Sequence, residues 1–416
     1  MKIGFIGLGK LGYPCALAAT LRGHDVMGYD IDPHAMNNLP KPYYETSEDG
    51  STSFSTLVEN SRVRFGSLTE VIEHSEIVFV AVQTPHDPLY EGITRLPRSR
   101  VDFEYKHLVT AMRAISAVAT TPKIVAIIST VLPGTIRRKI LSKLSPMLKI
   151  CYNPFFIAMG TTIRDYLNPE FILLGVHNPE AANIVEKYYA GLVQAKVYRT
   201  TIENAELIKV AYNTFISMKI VFANTMMELC HKLPGTDIDQ VMAGIKLSTG
   251  RLLSSAYLDG GMGDGGECHP RDNIVMSWLA RSLDLSFDWF ESVMKAREHQ
   301  SEWLADFMDE YDLPKGLIGY AFKANTNLCT GSAALLVEAI LRERGHEVFK
   351  YDPVVEGVER DLTSLEPHVF LLGAMHNEFQ SLLLPRGSVL LDPWRYVKSA
   401  GADVEVIPIG RSPNQP

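Results

Sequence analysis

The residues best suited to covalent chemistry lie in one stretch, 260–272, which reads GGMGDGGECHPRD: five glycines, then Cys268, then the charged pair Arg271 and Asp272. Glycines this dense let backbone approach a ligand closely, because no Cβ obstructs it. Amide N–H groups converging in such a loop hold a thiolate or a phosphate and lower a cysteine's pKa, which makes Cys268 the candidate nucleophile. The plainer alternative is a small packed cysteine beside an ordinary turn. Lys209 and Asn213 form a second candidate pair, four residues apart in a helical pattern, so one turn of helix puts both on the same face. Lys209 is either a catalytic group or a charge that snorkels to the surface from an apolar helix.

The elements that position these groups begin at the first residue. Residues 3–6 are a short apolar run, followed by Gly7-Leu8-Gly9-Lys10-Leu11-Gly12 and a helical pattern through Leu21. A second strand, DVMGYD, then ends in Asp30. Strand, glycines, helix, strand and terminal acid in that order form a dinucleotide-binding fingerprint. In it Gly7 makes the tight turn, Gly9 admits the pyrophosphate at the helix N-terminus, and Gly12 packs helix on strand. Asp30 accepts from the adenosine ribose, and Asp32 opposes a 2′-phosphate, so the cofactor reads as NAD, not NADP.

Residues 40–60 read as irregular, rich in Ser, Thr, Pro and acids. Strand patterns follow at 77–82 and 124–129, continuous apolar runs as expected of parallel strands covered on both faces. Each ends in a polar turn, QTP at Gln83 and STVLPGT at Ser129, on the side where open α/β sheets bind ligands. Thr130 either faces the nicotinamide and substrate or, with Ser129, caps the next helix. Further strands read at LKICYN and FILLG, a long helix at 207–230, and helical patterning at 272–311. Past Pro314 the opening recurs: RGHDVMGYDIDP at 22–33 has a counterpart, RGHEVFKYDP, at 344–353. The glycine fingerprint there has become Gly319-Tyr320-Ala321-Phe322-Lys323, with Lys323 a point charge for phosphate.

A chain of 416 residues predicts two or three domains. Five cysteines without a closely spaced framework are the usage of a reducing cytosol, and the first residues enter a strand without a cleavable apolar segment, so a cytoplasmic location is expected. The 48 Asp plus Glu against 40 Lys plus Arg, with no basic block, argue against nucleic acid as the main partner. Lys209, Asn213, Lys219 and Asn224 make the 207–230 stretch too polar for a membrane span. A helix that apolar still needs burial on several sides, which places it at the centre of a two-fold dimer. No metal is called for.

Six motifs in order resemble the nucleotide-sugar dehydrogenase family, the group of UDP-glucose 6-dehydrogenase and GDP-mannose dehydrogenase: the GxGxxG with Asp30, AVQTP, STVLPGT, ENAELIKVAYN, GDGGECHPRD and GYAFKANT. The resemblance implies an α/β protein of two Rossmann-like doubly wound domains joined by a central helical segment with one long helix. Its expected divisions are 1–200 for NAD, 201–312 for the helices, dimerisation and Cys loop, and 313–416 for UDP. It further implies a primary alcohol oxidised twice to a carboxylate, with two NAD molecules used in turn and UDP-glucose as the default substrate. Cys268 then matches the nucleophile that captures the aldehyde. Lys209, Asn213 and Asp272 match residues that orient the oxygen, stabilise its charge and handle the proton through water, and Thr130 matches one that positions this water. Cofactor contacts are implied at Gly7, Leu8, Gly9, Lys10, Leu11, Gly12, Asp30, Thr84, Thr130 and Arg271, and substrate contacts at Lys209, Asn213, Arg251, Gly265, Phe322 and Lys323.

The chain departs from the family at NPFFIAMG, where Phe155 and Met159 stand at positions usually held by glutamates. Arg271 replaces a lysine, and Asn327, Leu328 and Thr330 replace an acidic pair and an arginine. Two other functions compete. A two-electron β-hydroxyacid dehydrogenase shares the Rossmann domain and the lysine-x-x-x-asparagine helix but needs neither the cysteine loop nor the second nucleotide unit. A nucleotide-sugar sensor that kept the fold and lost the chemistry fits the missing glutamates, yet retains Cys268, Lys209 and Asp272.

Overall fold

Apolar runs too short for helices become strands when both faces are covered, and the first sheet is built from such runs. The computed structural model of the protein describes all residues except 34–44, 86, 251, 253, 255, 265, 267, 359–361, 363, 364 and 412–416. These residues fall into two units, Met1–Pro85 with Phe103–Ala211, and His86–Asp102 with Tyr212–Pro416.

In chain order the first unit carries β1 (Lys2–Ile6), α1 (Gly12–Leu21), β2 (Asp25–Tyr29), α2 (Phe54–Glu59), β3 (Arg64–Phe65), α3 (Leu68–His74), β4 (Ile77–Val80), α4 (Lys106–Val118) and β5 (Lys123–Ile127). It continues with β6 (Leu148–Tyr152), α5 (Thr162–Leu167), β7 (Phe171–Val176), α6 (Pro179–Ala190) and β8 (Lys196–Thr201). The strands form one sheet in the order β3-β2-β1-β4-β5-β6-β7-β8. The order reverses between β1 and β4, where Ile3 pairs with Val26 on one side and Ile77 on the other. Neighbours run parallel except β6 and β7, which meet antiparallel at only two residue pairs. The edge strand β8 has no apolar run to announce it, because its residues KVYRTT are all at least partly solvated.

The reading of 40–60 as irregular is corrected by α2. Its Ser53 cap accepts from the Thr56 N–H, and Phe54 is buried edge-on against Tyr13. One cap and one buried ring hold a helix whose polar composition conceals it. Helix α3 starts with a full capping box, Ser67 and Glu70 exchanging hydrogen bonds.

Helix α7 (Ile202–Lys232) is 31 residues long, and from Tyr212 onward it belongs to the second unit. There follow α8 (Ile238–Lys246), α9 (Cys268–Ser282), α10 (Trp289–Asp309), β9 (Lys315–Ile318), α11 (Ala333–Glu343), β10 (Val348–Tyr351), β11 (Val369–Leu372), β12 (Val389–Asp392) and β13 (Glu405–Pro408). The continuous helical pattern expected over 272–311 is in fact two helices. Asp284 takes φ +52° and Asp288 caps α10 through the Glu291 N–H, so two short-chain acids break the run.

The second sheet, β10-β9-β11-β12-β13, is parallel throughout and also reverses at its first strand. One core joins it to the helices: Met227, Ile238, Leu304, Met308, Leu317, Val337 and Leu371 pack together. Each such side chain contributes roughly 1.5–3 kcal/mol on burial. Lys315, 4% exposed, donates its ammonium to the Met308 and Tyr311 carbonyls and so closes the end of α10 from the first residue of β9.

Candidate active site

At the switch point of the first sheet a cavity of about 450 Å³ is lined by Gly7, Gly9, Asp30, Val82, Gln83, Lys106, His107 and Thr110, among others. Gly7 makes a tight turn and Gly12 packs closely, as their spacing predicts. Gly7 turns at φ +91°, a Cβ on Gly12 would lie 1.9 Å from the Gly7 carbonyl oxygen, and Gly9 has open space where its Cβ would be. No side chain caps α1 at Leu11, and of its first amides the Tyr13 N–H donates to the Gly9 carbonyl at 3.3 Å; a helix N-terminus without a side-chain cap suits an anion. Asp30 accepts from the Leu8 N–H at 2.7 Å and from the Asp32 N–H at 2.9 Å, so Leu8 orients the acid with its backbone while its side chain is buried. The cavity, the uncapped helix and the carboxylate fit the pyrophosphate and ribose of NAD. Lys106 and His107, which line the same cavity, carry no motif and escape sequence reasoning.

Ser129 and Thr130 do not cap a helix. Ser129 donates its hydroxyl to the Val82 carbonyl, and the Thr130 carbonyl accepts from Thr84 Oγ1 at 2.8 Å. The turns after β4 and β5 are thereby tied to each other, and the hydroxyl of Thr84 is a brace within the loop pair. The same loop is gripped from α7: both oxygens of the buried Glu206 accept backbone N–H groups, from Gly134 and from Ile136 at 2.9 Å.

Burial pushes the Glu206 carboxyl up to about 7, against the lowering effect of those two donors. A carboxyl raised from 4.5 to about 7 stabilises the fold fully below pH 4.5 and loses that contribution as pH rises toward 7, on the order of 3 kcal/mol in total. Wild-type protein should therefore lose thermal stability between pH 5 and 7, and Glu206→Gln should flatten this slope. Parallel slopes in melting curves of the two proteins would contradict the assignment.

Lys209, three residues further along α7, is 8% exposed, with its ammonium 5.1 Å from the centre of the Phe156 ring. This excludes the snorkelling alternative. Phe155 packs the other way, its ring 5.1 Å from Tyr166 and 6.4 Å from Phe79, against a core where the Tyr166 and Tyr188 hydroxyls meet at 2.7 Å. Carboxylates do reach this loop from elsewhere. Glu45 accepts from the Gly160 N–H, the Thr162 N–H and the Thr162 hydroxyl, and Asp165 accepts from the Ala158 N–H and the Thr161 hydroxyl. Glu45 is 3% exposed with its oxygens occupied, and it serves as a cap for α5.

In the second unit Cys268 is the first residue of α9, where the helix field favours a thiolate. Asp272 lies one turn on, fully buried, and accepts from Asn213 Nδ2 at 2.6 Å and from Arg271 Nε at 3.5 Å. Ser217, one turn after Asn213 on α7, meets His269 Nδ1 at 3.2 Å and accepts from Asn273 Nδ2 at 2.8 Å. Arg271 is thus partnered by its own neighbour.

The glycines before Cys268 serve mainly a different purpose from the one their density suggests. Gly261 and Gly263 do not offer free amides: the Gly261 N–H donates to Asn224 and the Gly263 N–H to Gln300, while Asn224 and Gln300 return amide protons to the Gly263 and Gly261 carbonyls. A Cβ on Gly261 would sit 2.1 Å from the Trp394 ring, and one on Gly266 2.7 Å from Phe322. Close packing by the protein's own rings, invisible in the sequence, accounts for the glycines at both places. Phe322 thus lies two residues from Cys268 in the chain it covers, and the Lys323 ammonium sits 5.4 Å from the Phe322 ring centre. Arg251 and Gly265 lie outside the described residues.

At the switch point of the second sheet Asp352 is fully buried and accepts from the Tyr320 and Ala321 N–H groups at 2.8 and 3.0 Å, with His376 3.5 Å away. Asp30, its counterpart, accepts from its own turn in the same way but is partly exposed, whereas Asp352 is fully buried, so its carboxylate is not open to a ribose. Among the described residues no cluster of three or more His, Cys, Asp or Glu suits a metal ion, and no helix is long and apolar enough to cross a membrane.

Comparison with known proteins agrees with this geometry. Residues 1–193 match the NAD binding domain of the UDP-glucose/GDP-mannose dehydrogenase family and residues 203–299 its central domain. A UDP-glucose 6-dehydrogenase of Rickettsia bellii is 29% identical over 368 residues, 85% of this chain and 81% of that protein. A GDP-mannose 6-dehydrogenase of Pseudomonas putida is 27% identical over 435 residues, 94% of this chain and 95% of that one. The solved UDP-glucose dehydrogenase of Pyrobaculum islandicum superposes with a TM-score of 0.83 at 25% identity, covering 99% of this chain and 98% of that chain. With a crevice at the switch point of the first sheet and both family domains matched in order, the chain belongs to the UDP-glucose/GDP-mannose dehydrogenase family of NAD-dependent nucleotide-sugar dehydrogenases.

Proposed function

We propose that the protein oxidises the C6 alcohol of a UDP-sugar, with UDP-glucose as the default, through two hydride transfers to a carboxylate. The observation that carries this reading is Cys268 opening α9 with Asp272 one turn further along, held by Asn213. NAD supplies the hydride acceptor for both oxidations. Asp272 takes the alcohol proton through a water, while Lys209 and Asn213 stabilise the oxygen as it gains charge. The Cys268 thiolate adds to the aldehyde carbon, its oxygen takes a proton from water, and the resulting thiohemiacetal holds an intermediate that as a free aldehyde would diffuse away. Loss of the second hydride leaves a thioester, and a water positioned by Thr130 attacks it, releasing carboxylate and restoring the thiol. Arg251, Gly265, Phe322 and Lys323 hold the nucleotide sugar, and Arg271 and Thr84 complete the cofactor site. The division into 1–200, 201–312 and 313–416 for NAD, helices and UDP belongs to the same proposal, as does a cytoplasmic location.

NADH production over a panel of UDP- and GDP-sugars, with NAD and NADP in parallel, tests the reading. Two NADH per sugar with a UDP-sugar is the expected result; reaction only with a simple hydroxyacid would favour the two-electron alternative, and no NADH from any sugar the sensor.

The protein should also be a dimer. Along α7 and just past it, Phe215, Phe222, Leu229 and Leu233 are 44–56% exposed, spaced seven, seven and four residues apart, and so form one apolar stripe. Light scattering at micromolar concentration should give twice the chain mass, and Phe222→Glu should shift it toward monomer. A wild-type monomer would contradict this.

A further inference from the structure

The largest fully buried side chain is a cation, Arg297 on α10, 2% exposed. Its Nε donates to Asp264 at 2.7 Å and its Nη2 to the Gly92 carbonyl at 2.6 Å. Asp264 is itself fully buried, four residues before Cys268, and its Oδ2 meets no hydrogen-bond partner among the described residues. Gly92 belongs to the segment His86–Asp102, which lies in sequence between β4 and α4 yet packs in the second unit. It turns at φ +72°, and a Cβ there would come within 2.4 Å of Pro270, two residues after Cys268. The two arms of one guanidinium therefore reach both sides of the start of α9.

From this geometry we infer that Arg297 is a positioning residue for Cys268, bracing the thiol between Asp264 upstream and the Gly92–Pro270 contact downstream. The inference rests on the assignment of Cys268 as nucleophile. A planar guanidinium holds the two acceptors, on different elements, in one fixed geometry, which the rotatable donors of an ammonium do not impose. The ion pair is not needed for stability as such. Buried pairs of this kind are often replaceable by apolar side chains without loss, whereas removing one partner strands a charge. What the pair supplies is a fixed location for a loop whose glycines would otherwise leave it loose. Asn224, Gln300 and Arg395 fix the same loop at Gly261, Gly263 and Gly260, and Arg297 in addition reaches the segment against Pro270.

The test measures alkylation of Cys268 by iodoacetamide, followed by peptide mass spectrometry over about pH 6 to 9, where a cysteine's thiolate fraction changes most. Arg297→Lys keeps the charge opposite Asp264 but loses the second arm. Its Cys268 alkylation rate should fall about tenfold at neutral pH, with the profile displaced to higher pH, because a shifted thiol loses its place at the helix terminus. Carboxylate kcat should fall on the order of 10²-fold, the scale of an ångström-sized misplacement, with KM for NAD unchanged. Gly92→Ala should give the same displacement from the other side. Should Arg297→Lys fail to fold, the double variant Asp264→Leu/Arg297→Met strands no charge and must show the displacement too. A folded variant of this set with a wild-type alkylation profile and kcat overturns the inference. Carboxylate formation by Cys268→Ser would instead overturn the nucleophile, while the alkylation profile still reports on the brace.

Discussion

Cys268→Ser is expected to abolish carboxylate formation while nucleotide-sugar binding survives. The cysteine lies at the first position of a 15-residue helix, and a helix terminus favours an anion by roughly 0.3–1 kcal/mol. That favours the thiolate, the nucleophilic form of the cysteine. The same field acting on a serine hydroxyl leaves essentially no alkoxide, so covalent capture of the aldehyde stops. Removing a covalent nucleophile costs on the order of 10⁶-fold in kcat in a serine protease, so a loss of several orders of magnitude is expected. Because the side chain is only half-buried and nearly isosteric with serine, the fold should be unaffected. Carboxylate at a near wild-type rate, measured by product chromatography beside an NADH count, would refute the assigned role.

Asp272→Asn is expected to slow alcohol oxidation and to halt hydrolysis of the thioester. Hydrolysing the thioester needs a water deprotonated in place, and a positioned base contributes on the order of 10²–10⁴ in rate. Phe155 and Met159 accept no proton, Phe155 being packed between Tyr166 and Phe79, and Glu45 is committed to capping α5. Asp272 is the carboxylate that remains on the helix of Cys268, and Asn213 Nδ2 already satisfies its Oδ2. An amide in its place retains the shape and loses the base. The variant should form NADH slowly, because Asp272 also takes the alcohol proton, and should stall near two NADH per site, with the acyl group on Cys268 visible by intact-protein mass spectrometry of a quenched reaction. Wild type should turn over steadily at two NADH per carboxylate. One NADH per sugar with free aldehyde released would sink the four-electron proposal itself.

Local pattern settled a large part of this protein. Gly7, Gly9, Gly12 and Asp30 are legible because their requirements are backbone requirements, met within thirty residues of each other: a turn, a close approach, a packed helix and an acid at a strand end. The strands β4, β5, β11 and β12 are legible because burial on both faces writes a continuous apolar run. Cys268 and Asp272 stand out because the dense glycines that lead into them are equally local, although only the structure makes Cys268 the first residue of a helix. What the sequence could not decide is whatever depends on a partner distant in the chain. Residues of α7 and α10 take up the amides of Gly261 and Gly263, Asp352 is consumed by its own turn, and Glu45 supplies a cap more than a hundred residues away. The burial of Lys209 under Phe156 and of Arg297 between Asp264 and Gly92 belongs to the same class. A hydrogen bond or an ion pair carries no trace of its partner's position along the chain, so only the tertiary structure reveals which polar groups are braces and which are left to meet a substrate.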